Sequence, residues 1–200
     1  MNKIGIDAKR AFHNKTGLGQ YSRWMLQYYL ERDFFQQNLL FTPKLGPHYS
    51  AQNSKEQTIT KEGILPAALW RSFRIPKLAL QNDVHTYHGL TNELPFFPKH
   101  QNIRKIVTIH DVLFKKIPET YGLIDQKIYD FKTSRACQLA DDVIVVSEQT
   151  KRDLVELYHA DPKKIHVIYQ DCHQQFRTKI KTPSKQSYIL SVGTLSLIHI

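Results

Sequence analysis

Cysteine is scarce in this 200-residue chain, which carries only Cys137 and Cys172. Two cysteines cannot build a disulfide framework, so a reducing compartment is the default. No run approaches the ~18 consecutive apolar residues of a membrane-spanning helix. The opening Met1-Asn2-Lys3-Ile4-Gly5-Ile6-Asp7 is too polar for a secretory signal. A cytoplasmic protein is therefore the expectation. No Gly-x-Ser-x-Gly elbow occurs, which removes the usual hydrolase nucleophile. Neither an Asp-x-Asp pair nor a metal-spaced Cys/His set is found; His166, Cys172 and His173 lack structural-zinc spacing. Acidic residues are outnumbered, 18 against 28 basic ones, for a formal charge of +10. That excess points to an anionic partner (nucleic acid, anionic lipid or a phosphorylated small molecule) without selecting one. The rest is ordinary: 41% hydrophobic and 23% charged, as in a globular chain. Two hundred residues can bury a core without a staple.

Short apolar runs alternate with longer helical patterns. Strands are expected at Lys3–Ala8, Asn38–Thr42, Val84–His88, Lys105–His110, Asp142–Ser147, Ile165–Tyr169 and Tyr188–Val192, with a short one near Ile59. Helices are expected at Gln20–Arg32, Pro66–Leu80, Asp125–Leu139 and Glu148–His159. In the first, Tyr21, Trp24, Met25 and Tyr28 share one face at i, i+3, i+4 and i+7. The second should break at Pro76. Asp142–Ser147 shows almost no alternation, as for a strand buried on both faces. Alternating strands and helices predict a Rossmann-like parallel α/β sheet with helices on both faces. Ligands of such sheets sit at the carboxyl ends of the strands.

After the first strand, Thr16-Gly17-Leu18-Gly19-Gln20-Tyr21 opens a helix. Gly17 and Gly19 either let the backbone approach an anion at a helix start or form a flexible connection. A dinucleotide-binding dehydrogenase is disfavoured: Ser22 stands where that fingerprint has its third glycine, and the second strand ends without an acidic residue. In His88-Gly89-Leu90-Thr91-Asn92-Glu93-Leu94-Pro95, Asn92 and Glu93 offer groups for a polyol, or simply turn chemistry. His110 and Asp111 follow the fourth strand, and His110 suits a sugar hydroxyl or a proton. Neighbouring strand residues point to opposite faces, so they should not form one dyad. Ser147, Thr150 and Lys151 lie at another helix start, where Ser147 reads as an N-cap. Trp70-Arg71-Ser72-Phe73-Arg74-Ile75-Pro76-Lys77 interleaves aromatic and basic groups, which suits RNA, an anionic membrane or a core helix with snorkelling bases.

In chain order, Ile4–Lys9, Thr16–Tyr21, His88–Pro95, Thr108–Asp111 with Pro118-Glu119, Ala140–Lys151, Lys164–Gln170 and Tyr188–Thr194 resemble the N-terminal half of bacterial GT-B glycosyltransferases of family 4. That retaining family includes many mannosyl- and glucosyltransferases, some acting in polysaccharide biosynthesis. The resemblance implies a hexosyltransferase with its active site between two Rossmann-like halves, the first holding the acceptor and the second the nucleotide sugar. It implies a place in the cleft beside the transferred sugar for His110, the catalytic candidate, and donor-phosphate contacts for Gly17 and Gly19; Asn92, Glu93, Asp111, Ser147 and Lys151 are the further substrate-binding candidates. It also implies no metal and no resident cofactor. The partners it implies are a nucleotide sugar, a glycan or lipid-linked acceptor and an anionic membrane surface at the inner face, not nucleic acid. The competing reading is a stand-alone basic nucleotide- or nucleic-acid-binding module, and no nucleic-acid motif supports it. Residues 1–187 correspond to the acceptor-side domain and 188–194 to the first strand of a donor-binding domain. The final Leu195-Ser196-Leu197-Ile198-His199-Ile200 departs from the family and resembles a translated sequencing adapter. On that reading the chain is half an enzyme, inactive alone.

Overall fold

The computed structural model describes residues 2–32, 34–51, 54–98 and 101–171. Seven parallel strands form one sheet in the order β3-β2-β1-β4-β5-β6-β7. They are β1 Lys3–Asp7, β2 Gln37–Thr42, β3 Glu56–Thr60, β4 Thr86–Gly89, β5 Arg104–Ile109, β6 Asp142–Val145 and β7 Ile165–Val167. The helices are α1 Lys9–His13, α2 Gly17–Arg32, α3 Ala67–Leu69, α4 Ile75–Gln81, α5 Leu113–Lys116, α6 Leu123–Leu139 and α7 Glu148–Tyr158. Every strand foreseen before residue 170 is present. The strand at Tyr188–Val192 lies outside the described residues. No described helix is long and apolar enough to cross a membrane.

Side chains alternate along the strands and feed two cores. On one side Leu39, Phe41, Val107, Ile109, Val143 and Val145 pack with Trp70, Ile75, Ala79, Ala136, Cys137 and Leu154 of the helices between 67 and 158. On the other, Ile4, Ile6 and Leu40 pack with Ala11 and Phe12 of α1 and Leu26 and Tyr29 of α2.

Three features add to or depart from expectation. First, the inward face of α2 carries Gly19, Ser22, Leu26 and Tyr29. The stripe of Tyr21, Trp24, Met25 and Tyr28 instead lines an open groove of about 560 Å³ with Ile144, Ile168 and Tyr169. Small Gly19 and self-satisfied Ser22, whose hydroxyl donates to the Leu18 carbonyl at 2.8 Å, suit the tightly packed face better than a ring does. Second, β6 is fully packed on one face only. Val143 and Val145 are buried, whereas Ile144 is half-buried at that groove. Third, Pro76 does not break its helix. A π-helical turn, Trp70–Arg74, joins α3 to α4 immediately ahead of it. Proline has no N–H and its ring crowds the carbonyl four residues back. The wider turn relieves that crowding, and the Ser72 carbonyl accepts the Phe96 N–H instead, at 2.7 Å.

Candidate functional site

The carboxyl ends of β1, β4 and β5 converge on a cavity of about 420 Å³. Lys9, Arg10 and Leu18 line it from the β1 side. Arg71, Asn92 and Glu93 form its floor, and His110, Asp111 and the first turns of α6 close it.

His110 falls one residue past β5, where strand alternation no longer governs direction. It therefore shares the cavity with Asp111, although the two do not pair. Nε2 of His110 lies 3.0 Å from the Leu90 carbonyl, an obligate acceptor, so Nε2 carries the proton and donates. Nδ1 keeps its lone pair and receives the Gln170 amide at 3.1 Å. Burial lowers the His110 pKa. The Leu90 bond and the Asp111 charge oppose that, and Arg10 adds to it. Tyr21 meets the ring edge-on at 4.7 Å between centroids. Asp111 turns away to accept the Leu113 N–H at 3.1 Å.

Asn92 acts as a staple between two strand-end loops. Its Nδ2 donates to the Asp111 carbonyl at 2.8 Å and its Oδ1 accepts the His110 N–H at 3.0 Å. It adopts a φ of 51°, a left-handed conformation that asparagine tolerates better than most residues. Ser147 and Lys151 do not line the cavity. Ser147 caps α7 by accepting the Thr150 N–H at 3.1 Å. The Thr150 hydroxyl then donates to the His110 carbonyl at 3.1 Å, so this cap braces His110 from behind.

The two glycines part company. A Cβ on Gly17 would meet nothing within 4 Å. One on Gly19 would sit 1.8 Å from the Asn14 carbonyl oxygen, so Gly19 serves the packing of α2 on its own entry loop. Glu93 is engaged in a buried ionic network. Arg71 reaches both Asp7 and Glu93, and Lys132 donates to Glu93 at 2.6 Å. Burial pushes the Glu93 carboxyl up, but Arg71 and Lys132 outweigh it and hold its pKa at about 2. Burial likewise opposes the Arg71 charge, and the two carboxylates overcome it and raise its pKa. Lys9 and Arg10, by contrast, make no ion pair among the described residues. Burial lowers the Lys9 pKa, with Arg71 and Arg10 adding to the shift and the Glu93 and Asp7 carboxylates opposing it.

Sequence reasoning missed three contributors. Arg71 was one basic residue among several in an interleaved stretch, and its place between Trp70 and Ile75 on a buried face was the available signal. Tyr21 and His88 belong to a buried chain in which the two ring nitrogens of His88 meet Tyr29 Oη at 2.8 Å and Thr108 Oγ1 at 2.9 Å. Thr108 in turn meets Tyr21 Oη at 3.0 Å. Burial, helped by His110, drives the His88 pKa down to about 3 and keeps the ring neutral.

A family model described as Glycosyltransferase Family 4 matches residues 36–170. The chain belongs to Glycosyltransferase Family 4. The matched span of this family 4 domain holds Asn92, Glu93, His110, Asp111, Ser147 and Lys151, whereas Gly17 and Gly19 precede it. Among solved structures, a variant of the wall teichoic acid polymerase TagF aligns with a TM-score of 0.50 at 11% identity. It covers 84% of this chain and 38% of that one, a likeness of fold to a GT-B glycosyltransferase. The chain thus spans well under half of that structure's length. Comparison with curated proteins gives no match.

Proposed function

We propose that this family 4 domain is the acceptor-side half of a retaining hexosyltransferase, mannosyltransferase-like in type. It would serve transfer from a nucleotide sugar to a glycan or lipid-linked acceptor. The observation that carries the reading is His110. Burial holds its pKa below the ordinary imidazole value, its Nε2–H is committed to the Leu90 carbonyl, and its Nδ1 lone pair accepts the exposed amide of Gln170. A sugar hydroxyl entering the cavity can replace that amide as the donor to Nδ1.

The protein's part in such a reaction is positioning and electrostatics. Asn92 and the Ser147–Thr150 cap set the His110 backbone, and Tyr21 sets its ring. Lys9 and Arg10 supply positive charge at the cavity wall, suited to a substrate phosphate. Retention then rests on departure of the donor diphosphate from the face that the acceptor enters, with that phosphate taking the acceptor proton. No resident cofactor is invoked.

The test uses long-range ¹H–¹⁵N NMR of the His110 imidazole while hexoses, hexose phosphates and nucleotide sugars are titrated into the 200-residue chain. Hexoses and hexose phosphates should move the Nδ1 resonance, nucleotide sugars should do so more weakly because the resemblance assigns them to the other half, and His110→Ala should lose this binding while keeping the thermal transition. No response to any sugar, with salt-steep binding of RNA or DNA instead, would overturn the reading. Equal loss of binding and stability in His110→Ala would make that histidine structural.

A further inference from the structure

The cavity beside His110 is lined by two buried side chains that each keep a polar atom without a partner. Thr133 of α6 is fully buried, and its Oγ1 has no hydrogen-bond partner among the described residues. The other buried serine and threonine hydroxyls, those of Ser22, Thr42, Thr108 and Thr150, all have one. A hydroxyl inside a helix can return to the carbonyl four residues back, as Ser22 does in α2. Thr133 makes no such bond, and its side chain lines the cavity. Arg71, 8% exposed, lines the same cavity. One of its terminal nitrogens reaches both Asp7 and Glu93, but its Nε–H has no partner. Buried polar groups are nearly always paired, and an unmade bond there is costly. Both atoms are therefore suited to a polar atom that a ligand brings.

A third feature of the cavity is apolar. Phe114, Tyr121 and Tyr129 line it as one aromatic cluster. Phe114 lies 6.3 Å from Tyr121 and 5.8 Å from Tyr129, and the two tyrosines are 6.2 Å apart, centroid to centroid.

We infer that Thr133, Arg71 and this aromatic cluster form a subsite for an uncharged pyranose ring of the acceptor, with Thr133 setting which sugar is admitted. The inference rests on the transfer reading and narrows its acceptor. One face of a pyranose is a patch of C–H groups, which aromatic side chains remove from water. Its rim carries hydroxyls, each able to accept and to donate. Such a hydroxyl accepts the Arg71 Nε–H and pairs with Thr133 Oγ1. Entry of the ring needs the side-chain rotamer shifts usual on binding. Charge selects against an acidic sugar. The Arg71 cation is already matched by Asp7 and Glu93, so a carboxylate at its Nε would meet both of them. An acceptor phosphate has its own place on the cavity wall, at Lys9 and Arg10.

The experiment titrates the methyl glycosides of glucose and mannose, their single-deoxy analogues and methyl glucuronide into the 200-residue chain, with affinities read from NMR shifts. At least one neutral glycoside should bind, and the glucuronide should bind more weakly. One of the deoxy analogues should lose about tenfold against its parent. Thr133→Val, which keeps the shape and deletes the hydroxyl, should weaken the parent by about the same factor and make it equal to that analogue. Its thermal transition should be unchanged or raised, because the hydroxyl makes no bond in the ligand-free protein. Tyr129→Leu should weaken all the neutral glycosides alike. Glycoside binding that Thr133→Val leaves unaltered, a lowered thermal transition in that variant, or tighter binding of the glucuronide would overturn this subsite while the transfer reading stands. No binding of any glycoside would overturn both.

Discussion

Replacing Arg71 by methionine, which keeps length and volume, removes the cation shared by Asp7 and Glu93. The three side chains are 9%, 6% and 21% exposed, so water replaces little of what is lost. Glu93 retains Lys132 at 2.6 Å. Asp7 retains only the Lys9 N–H, at 3.2 Å. The cost therefore falls mainly on Asp7. Removing one partner of a buried pair typically costs ~3–5 kcal/mol. With Glu93 half-compensated we expect about 3–4 kcal/mol at pH 7. That corresponds to a melting-point drop of roughly 6–16 °C for a chain of this size. The pH dependence separates this account from simple loss of packing. In the wild type Glu93 titrates at about 2 instead of its ordinary 4.5. Its stabilising contribution is complete above 4.5 and is lost as pH falls from 4.5 toward 2. The variant keeps only the part of that contribution that Lys132 supplies, so the gap between the two proteins should narrow across that window. Urea unfolding followed by circular dichroism at pH 7, 4.5 and 3 measures it. A gap under about 1 kcal/mol at pH 7, or one that stays constant down to pH 3, would refute the reasoning.

Other outcomes follow from the same geometry. Unfolded His88 takes up a proton below its ordinary 6.5, whereas the folded ring resists to about 3. Stability should thus decline as pH falls between those values, by up to about 4–5 kcal/mol, and His88→Asn should flatten that part of a urea-stability profile. Gly19→Ala forces a methyl onto the Asn14 carbonyl and should cost about 3 kcal/mol or more, whereas Gly17→Ala should stay within about 0.5 kcal/mol; thermal melts of the two read the contrast. Ser147→Ala should lose about 1 kcal/mol of cap and shift the His110 imidazole resonances through Thr150, visible by NMR.

Strand positions were legible because parallel strands are short apolar runs. Asp142-Val143-Ile144-Val145 and Lys105-Ile106-Val107-Thr108-Ile109 are recognisable without any partner in view. Strand order was legible only as a class, since nothing in the residues of β1 states that β4 lies beside it. Short helices such as α1 and α5 escaped because five or four residues carry no period. At the site, the strand-end rule found His110, Asn92 and Asp111. It could not separate lining from bracing. Ser147 and Asn92 are both short polar residues at a loop, and only coordinates reveal that each spends its hydrogen bonds on the backbone. Arg71 was illegible for a different reason. Its partners Asp7 and Glu93 are 64 and 22 residues away, and charge pairing at such separations leaves no local pattern.

The position of β1 in the sheet bears on how the chain is made. β1 is synthesised before the other six described strands, yet it lies inside the sheet, flanked by β2 and β4. Its β2 edge can close once Thr42 is available, but its β4 edge stays open until Gly89 has been made. Between the two the chain runs out to β3 at the rim and returns through α3 and α4. Such non-local closure is slow relative to helix formation. The emerging polypeptide therefore carries an unpaired apolar edge, Ile4 and Ile6 included, for the time needed to add some forty-seven residues, 42 to 89. At ~5–20 residues per second that is an exposure of seconds. During that interval β2 covers one edge of β1 and the other edge is open to pairing with another molecule.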